Sequence, residues 1–290
     1  MAKRNRPPTL LTLAHRLVRD ERLFGRGDLV VCACSGGPDS NALLHGLSLL
    51  RRRVGHQLCA VGVDHGLRPE AGSELAVAQA IAEEQCVPFE TVALHVAPGS
   101  NLQARARQAR HEALQQVAAR SAAVVIATGH TADDRAETVM MRLLRGAGPR
   151  GLAALPPQAP PLSAGVPLVR PLLTCRRSDV LAHLSRHRLT YATDPSNSDR
   201  RFLRSRVRHE LMPLLEELSP GIVGHLCALA EMLASDGVAT DSLPQLGRAQ
   251  RLAIDRARRL GKRQTTVRVS GGRDLLIRFF GNSPVVWDEE

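Results

Sequence analysis

Six consecutive residues, Ser35-Gly36-Gly37-Pro38-Asp39-Ser40, carry the first chemistry that can be read in the chain. Adjacent glycines let a backbone take positive φ and approach a ligand closely, so successive N–H groups can point into one concavity beside a helix N-terminus. That geometry suits phosphate. The motif is neither the G-x-x-x-x-G-K-[ST] of a Walker loop nor the G-x-G-x-x-G of a dinucleotide fold. Further on, Gly129-His130-Thr131-Ala132-Asp133-Asp134-Arg135-Ala136-Glu137-Thr138 opens a helical pattern. Asp134 and Glu137 are three apart and therefore share a helix face. Two carboxylates on one turn can hold Mg²⁺ or an ammonium group. The plainer alternatives are a glycine turn that only starts a helix, and first-turn acids that only complement the helix dipole.

The elements that must position these residues alternate. Apolar spacing predicts a leading amphipathic helix over 9–24, a strand over 28–34 that runs into the glycines, and a helix over 41–53 with Leu43, Leu44, Leu47 and Leu50 on one stripe. Strands over 57–64, 89–95 and 123–128 then alternate with helices over 73–86, 102–120 and 132–144. This predicts an α/β fold: a parallel sheet with helices on both faces, joined by right-handed crossovers. Ligands of such sheets sit at the carboxyl ends of strands, so the loops beginning at Ser35, Asp64, Val96 and Gly129 should converge. The proline-rich segment 146–171 has no hydrophobic period and reads as a surface loop. Helices follow over 178–187 and 202–218, on either side of the turn-rich Asp194-Pro195-Ser196-Asn197. After two more helices (223–234 and 245–260), strand-like runs 265–269 and 275–280 flank Gly271-Gly272, the signature of a hairpin. The expected domains are 1–218, with a helical extension from about 172, and a small α+β domain over 219–290.

Charge points to a polyanionic partner. Lys and Arg number 39 against 28 acids, a formal +11, nearly all of it arginine. From Arg248 to Arg278 ten basic residues face two acids, a local 10 − 2 = +8. Such a surface suits nucleic acid, although a solvated arginine-rich face is the simpler alternative. Aromatic residues at 2% argue against base-stacking platforms. Six scattered cysteines without a C-x-x-C give little support to a zinc site, an iron–sulfur cluster or a disulfide framework. No run nears the roughly 20 apolar residues of a membrane span, and the basic first residues lead into prolines rather than a signal core. A cytoplasmic location with no membrane partner is the expectation.

Several motifs in this order carry a resemblance. They are the glycine loop, Asp64-His65-Gly66-Leu67-Arg68, Ala106-Arg107-x-x-Arg110, and the His130 to Thr138 stretch with Met141-Arg142-Leu143-Leu144-Arg145-Gly146 behind it. Arg170-Pro171-Leu172-Leu173 follows, then Asp194-Pro195-Ser196-Asn197 ahead of Arg204-x-Arg206-x-x-His209. Together they resemble the tRNA(Ile)-lysidine synthetase family of the PP-loop ATP pyrophosphatase superfamily, over roughly residues 28–215. The resemblance implies that lysine is joined to C2 of the wobble cytidine in the CAU anticodon of tRNA(Ile), with ATP converted to AMP and pyrophosphate. It also implies that Ser35, Gly36, Gly37, Pro38, Asp39 and Ser40 hold pyrophosphate and Mg²⁺, Asp39 being the acid on the metal side. Asp64 and His65 would lie near the adenosine, and Asp134 and Glu137, with Asp133 and His130 beside them, would grip lysine and take part in catalysis. Arg107, Arg110, Arg204 and Arg206 would meet the cytidine or phosphates, while Arg256, Arg259 and Arg263 would contact tRNA on charge grounds.

Two departures from the family pattern stand out: Arg204-Ser205-Arg206-Val207-Arg208 lacks the usual asparagine after its first arginine, and His111 replaces a common tyrosine. Both leave the charges in place. A tRNA thiolase of the same superfamily would need reactive cysteines or a C-x-x-C, and small-molecule PP-loop ligases normally bring a glutaminase domain. A basic RNA-binding module with a vestigial nucleotide site is the reading from another class. The sequence leaves the oligomeric state open, a homodimer included.

Overall fold

The structure, a computed structural model, describes residues 7–64, 66, 71–94, 99, 102–161, 165–192, 200–234, 246, 248–268, 274–280 and 283–287. His65, the Asp194–Asn197 turn and Gly271-Gly272 lie outside the described residues. The chain divides into two compact units, Met1–Asp134 with Pro157–Ser205, and Arg135–Pro156 with Arg206–Glu290. That division differs from the single cut expected after residue 218, because segments 135–156 and 206–218 group with the C-terminal part. No helix among the described residues is long and apolar enough to cross a membrane.

The first unit is built on a six-stranded sheet. In chain order its elements are α1 (Leu10–Asp20), β1 (Leu29–Cys34), α2 (Pro38–Val54), β2 (Gln57–Asp64), α3 (Ala71–Glu84), β3 (Phe89–Ala93), α4 (Leu102–Arg120) and β4 (Val125–Ala127). The helix α5 (Ala132–Leu143) starts in this unit and continues into the other. The sheet order is β3-β2-β1-β4-β6-β5, where β5 is Gln158–Ala159 and β6 is Leu168–Val169. All neighbouring pairs are parallel except β5 with β6. Strand β1 pairs with β2 on one side and β4 on the other, which places the reversal of strand order at its carboxyl end. Its near-continuous apolar sequence follows from burial on both faces. Leu114, Val117 and Ala118 of α4 pack there against Val31, Val61, Ile126 and Leu168.

The proline-rich segment departs from the expectation of a loop. It holds the short helix α6 (Pro149–Leu152) as well as β5 and β6, and Ile126 N–H donates to Pro167 O while Thr128 N–H donates to Val169 O. Strands of two residues are too short to show a period, and the prolines flank them rather than interrupt them. The unit closes with α7 (Arg177–His187), beyond which Ala192 N–H donates to Gly36 O at 2.9 Å.

The helix begun by α8 (Leu203–Arg206), whose first three residues belong to the first unit, widens in the second unit into one π-helical turn over Val207–Leu211 before α9 (Met212–Leu218). Met212 N–H reaches Val207 O, five residues back. Pro213 supplies no N–H and its ring crowds the carbonyl four residues earlier, which the wider turn accommodates. Arg135, only 2% exposed, donates to Ala154 O at 3.0 Å and pairs with Glu231 at 3.3 Å, the acid lying on α10 (Ile222–Ala234). After α11 (Arg248–Arg259) comes an antiparallel sheet β7 (Gln264–Arg268), β8 (Asp274–Phe280), β9 (Ser283–Trp287). Leu246, Ile254, Val267, Leu275 and Ile277 form its core with Phe279 against them. Two strands were expected here and β9 is an addition; Pro284 masks it in sequence yet is tolerated on an edge strand.

Candidate functional site

The glycine loop joins β1 to α2 within the first unit. Gly36 has φ +77°, and a Cβ there would fall on the carbonyl oxygen of Glu74, so only glycine fits. Gly37 occupies the N-cap without a side chain, and Pro38 starts the helix with its φ already suited to it. Ser40 Oγ donates to Gly37 O at 3.0 Å and accepts from Ser35 N–H at 3.2 Å, with Ser35 Oγ also at 3.2 Å. Asn41 Nδ2 donates to Gly36 O and Thr190 O, each at 3.1 Å, and fixes the loop from behind. The turn after β4 abuts this loop: a Cβ on Gly129 would lie 2.9 Å from the carbonyl of Asp39. The loops after β1 and β4 therefore meet at the point where the strand order reverses, the usual ligand position in such sheets.

One arginine links the two loops. Arg177, the first residue of α7, places its guanidinium 3.7 Å from Asp39 and 3.8 Å from Asp134. Asp134 itself is 6% exposed and does two jobs. Its Oδ2 accepts from Thr131 N–H at 2.9 Å and Thr131 Oγ1 at 3.0 Å, a capping box that starts α5, while Oδ1 accepts from Arg204 at 2.7 Å. Burial pushes its carboxyl up in pKa, but the guanidinium of Arg204 together with the Thr131 N–H, His130 and Arg177 outweighs this, leaving it below the usual carboxylate range. His130 bonds Thr128 Oγ1 through Nδ1 at 2.9 Å. Its pKa is lowered to about 4, chiefly by burial; Asp134 opposes the shift, and the charges of Arg170, Arg204 and Arg107 add to it. The imidazole is neutral at pH 7.

The structure distributes the remaining sequence candidates unevenly. Asp133 is forked by Arg176 at 3.0–3.2 Å and accepts from Arg177 N–H at 2.7 Å, so it ties the first turn of α5 to that of α7. Glu137, in the second unit, is 3% exposed and held bidentately by Arg208 at 2.6 and 2.9 Å. Arg206 pairs instead with Glu210 at 3.1 Å on the exposed side of its helix. Arg107 and Arg110 stand exposed on α4, and Asp64 Oδ1 accepts from Gly66 N–H at 2.9 Å at the end of β2. Arg259 pairs with Asp255 at 3.3 Å, Arg256 is half-buried and Arg263 is exposed. Sequence reasoning missed Arg170, Arg176, Arg177 and Arg208 as site residues. A signal existed for Arg176 and Arg177: cations at a helix N-terminus oppose the macrodipole and need compensating anions.

Residues 13–215 match the family of the PP-loop domain. The tRNA(Ile)-lysidine synthase of Thermobifida fusca is 39% identical over 241 residues, covering 81% of this chain and 71% of its own. The chain belongs to the tRNA(Ile)-lysidine synthase family. Other family members are similarly related: that of Novosphingobium aromaticivorans is 39% identical over 75% of this chain, that of Rhodopseudomonas palustris 42% over 70%. The chain spans 66% and 58% of the lengths of those two relatives. Among solved structures, the U34-tRNA thiolase NcsA from Methanococcus maripaludis, with its [4Fe-4S] cluster, shares the fold at TM-score 0.66 and 22% identity, covering 77% of this chain and 79% of its own.

Proposed function

We propose that this chain makes lysidine: it joins free lysine to C2 of the wobble cytidine in the CAU anticodon of tRNA(Ile), through an adenylated cytidine, converting ATP to AMP and pyrophosphate. The observation that carries the reading is Arg177 standing between Asp39 of the glycine loop and Asp134 of the acidic turn. It joins a phosphate cradle to a carboxylate suited to an amine. The C2 oxygen of cytidine leaves poorly, so adenylation makes it a leaving group that the amine can displace. Charge on the departing pyrophosphate calls for backbone N–H groups and arginines rather than a covalent nucleophile. Ser35 to Ser40 and Arg177 supply that, Arg107, Arg110 and Arg204 are assigned to the cytidine and its adenylate, and Asp64 at the end of β2 is assigned to the adenosine.

The oxygens of Asp39, Ser35 and Ser40 are hard donors of the kind Mg²⁺ takes, although Asp39 would then share its carboxylate with Arg177. The ion would neutralise charge on the triphosphate. Asp134 and Glu137 are proposed to receive the lysine ammonium on one turn of α5. Both already carry guanidinium partners, so the amine meets carboxylates whose charge is largely balanced. Crowding by Arg177 and Arg204 disfavours the charged ammonium and favours the neutral nucleophile. Asp134, held below the usual carboxylate range, is a weak base, so it serves the amine as a charge partner rather than as its proton acceptor. We further propose 1–218 as the catalytic part and 219–290 as the tRNA contact.

Pyrophosphate release is the test. It should require tRNA(Ile) transcript, continue beyond one pyrophosphate per tRNA only when lysine is present, and then match lysine incorporation one for one. Release without tRNA, or sustained release without lysine, would contradict the reading, and none at all would point to a vestigial site. Sulfur incorporation would favour a thiolase, whose usual C-x-x-C this sequence lacks.

A further inference from the structure

About two turns along α2 from its glycine turn, α2 and α7 bring three imidazoles together. His45 comes from α2, and His183 and His187 lie one turn apart on α7. His45 and His183 are 4% and 6% exposed, while His187 opens to solvent. His45 Nδ1 and His183 Nε2 are 2.9 Å apart. The ring centroids are 4.6 Å apart for His45–His187, 4.6 Å for His183–His187 and 5.1 Å for His45–His183. One ring nitrogen from each residue lies within 4.8 Å of the others, the one such trio of potential metal donors among the described residues. None of them belongs to the glycine loop or the arginine cluster.

We propose that His45, His183 and His187 form a site for a divalent transition metal, Zn²⁺ by ligand type, with a fourth position left to water on the His187 side. Imidazole suits zinc and its neighbours, whereas Mg²⁺ takes oxygen, so this site is chemically separate from any Mg²⁺ at Asp39. Burial first, and neighbouring histidines second, hold His45 and His183 at about 4, which keeps their lone pairs unprotonated at neutral pH. A hydrogen bond shared between two core histidines would account for the 2.9 Å pair. It would not account for a third imidazole one turn further along α7. Zinc–nitrogen bonds of about 2.0–2.1 Å in a tetrahedral arrangement put nitrogens about 3.3–3.4 Å apart. The close pair must open slightly and the wider separations must close, which the exposed His187 can supply by side-chain rotation.

The site would staple α2 to α7 just before the segment that braces the loop. Thr190 O and Ala192 N–H, beyond α7, meet Asn41 and Gly36. Binding to the folded state alone raises stability in proportion to the logarithm of free metal.

The test uses the full chain stripped with chelator and titrated with Co²⁺ as a spectroscopic stand-in. The expected result is one Co²⁺ per chain with visible d–d bands, no thiolate charge-transfer band, and displacement by Zn²⁺. Because His187 is exposed, His187→Ala should fold normally while losing affinity by more than the roughly 10–100-fold typical of removing a supporting group. Zn²⁺ should raise Tm in the wild type and not in His187→Ala, and His225→Ala, a change at an exposed residue of α10 outside the trio, should behave as wild type. No stoichiometric uptake, a thiolate band, or equal affinity in His187→Ala would overturn the proposal.

Discussion

Arg177 starts a helix, where the macrodipole disfavours a cation, and its position is sustained by the two acids it faces, Asp39 and Asp134. If it stabilises charge leaving on pyrophosphate, Arg177→Ala should lower kcat for pyrophosphate release by about 10²–10³, the usual cost of removing one preorganised donor. Arg177→Lys should recover only part, since a point charge cannot span both carboxylates as a fork does. Unchanged kcat and KM in either variant would remove Arg177 from the chemistry. Glu137 and Arg208 pose a different question because the acid is 3% exposed and the guanidinium side chain 20%. Breaking a buried pair typically costs about 3–5 kcal/mol, and the partly wet arginine puts Glu137→Gln at about the lower end of that range. In an Arg208→Met background, where Glu137 has already lost this partner and its change to Gln would strand no guanidinium, the same change should cost much less. Urea unfolding of the four proteins measures the difference, and additive costs would mean that the pair is not coupled.

Elements place these residues by close backbone approach, and Gly129 is the most testable instance. Gly129→Ala sets a methyl 2.9 Å from the carbonyl of Asp39, so the glycine loop must move although no charged group is lost. We expect ATP-dependent turnover to collapse while the urea midpoint changes little. Full turnover would show that the loop tolerates displacement and that its shape is not critical. The alternation of β1 to α5 could be read in the sequence because strands buried on both faces are written as apolar runs. The glycine loop was legible for a related reason: Gly36 sits at a φ that other residues rarely adopt. Strands β5 and β6 were not, being two residues long among prolines, and neither was β9 with its Pro284. The arginine partners were hidden most deeply. In a chain whose basic residues are nearly all arginine, which ones meet Asp134 and Glu137 depends on where α7 and the helix from Leu203 pack, and no local pattern records that.

At the scale of the whole molecule the chain is a polycation of formal charge +11. Its C-terminal basic run is partly neutralised, since Asp255 draws Arg258 and Arg259 and Asp274 draws Arg268. If this segment meets tRNA through phosphates, affinity should fall with salt at a slope of roughly −0.7 to −0.9 per phosphate. Changing Arg256, Arg259 and Arg263 to Gln should flatten that slope by about two to three units while the preference among tRNAs barely changes. Of the three, Arg263 should matter more than Arg259, whose charge is already shared with Asp255. A slope unchanged in the triple variant would leave the run as a solvated face. The reaction itself is read most directly by digesting tRNA(Ile) after incubation with ATP and lysine and weighing its nucleosides. The wobble cytidine of the CAU anticodon should gain one lysine less one water, and Asp39→Ala, folded normally, should leave it unmodified. An unmodified cytidine with the wild-type chain under conditions where ATP is consumed would contradict the lysidine assignment.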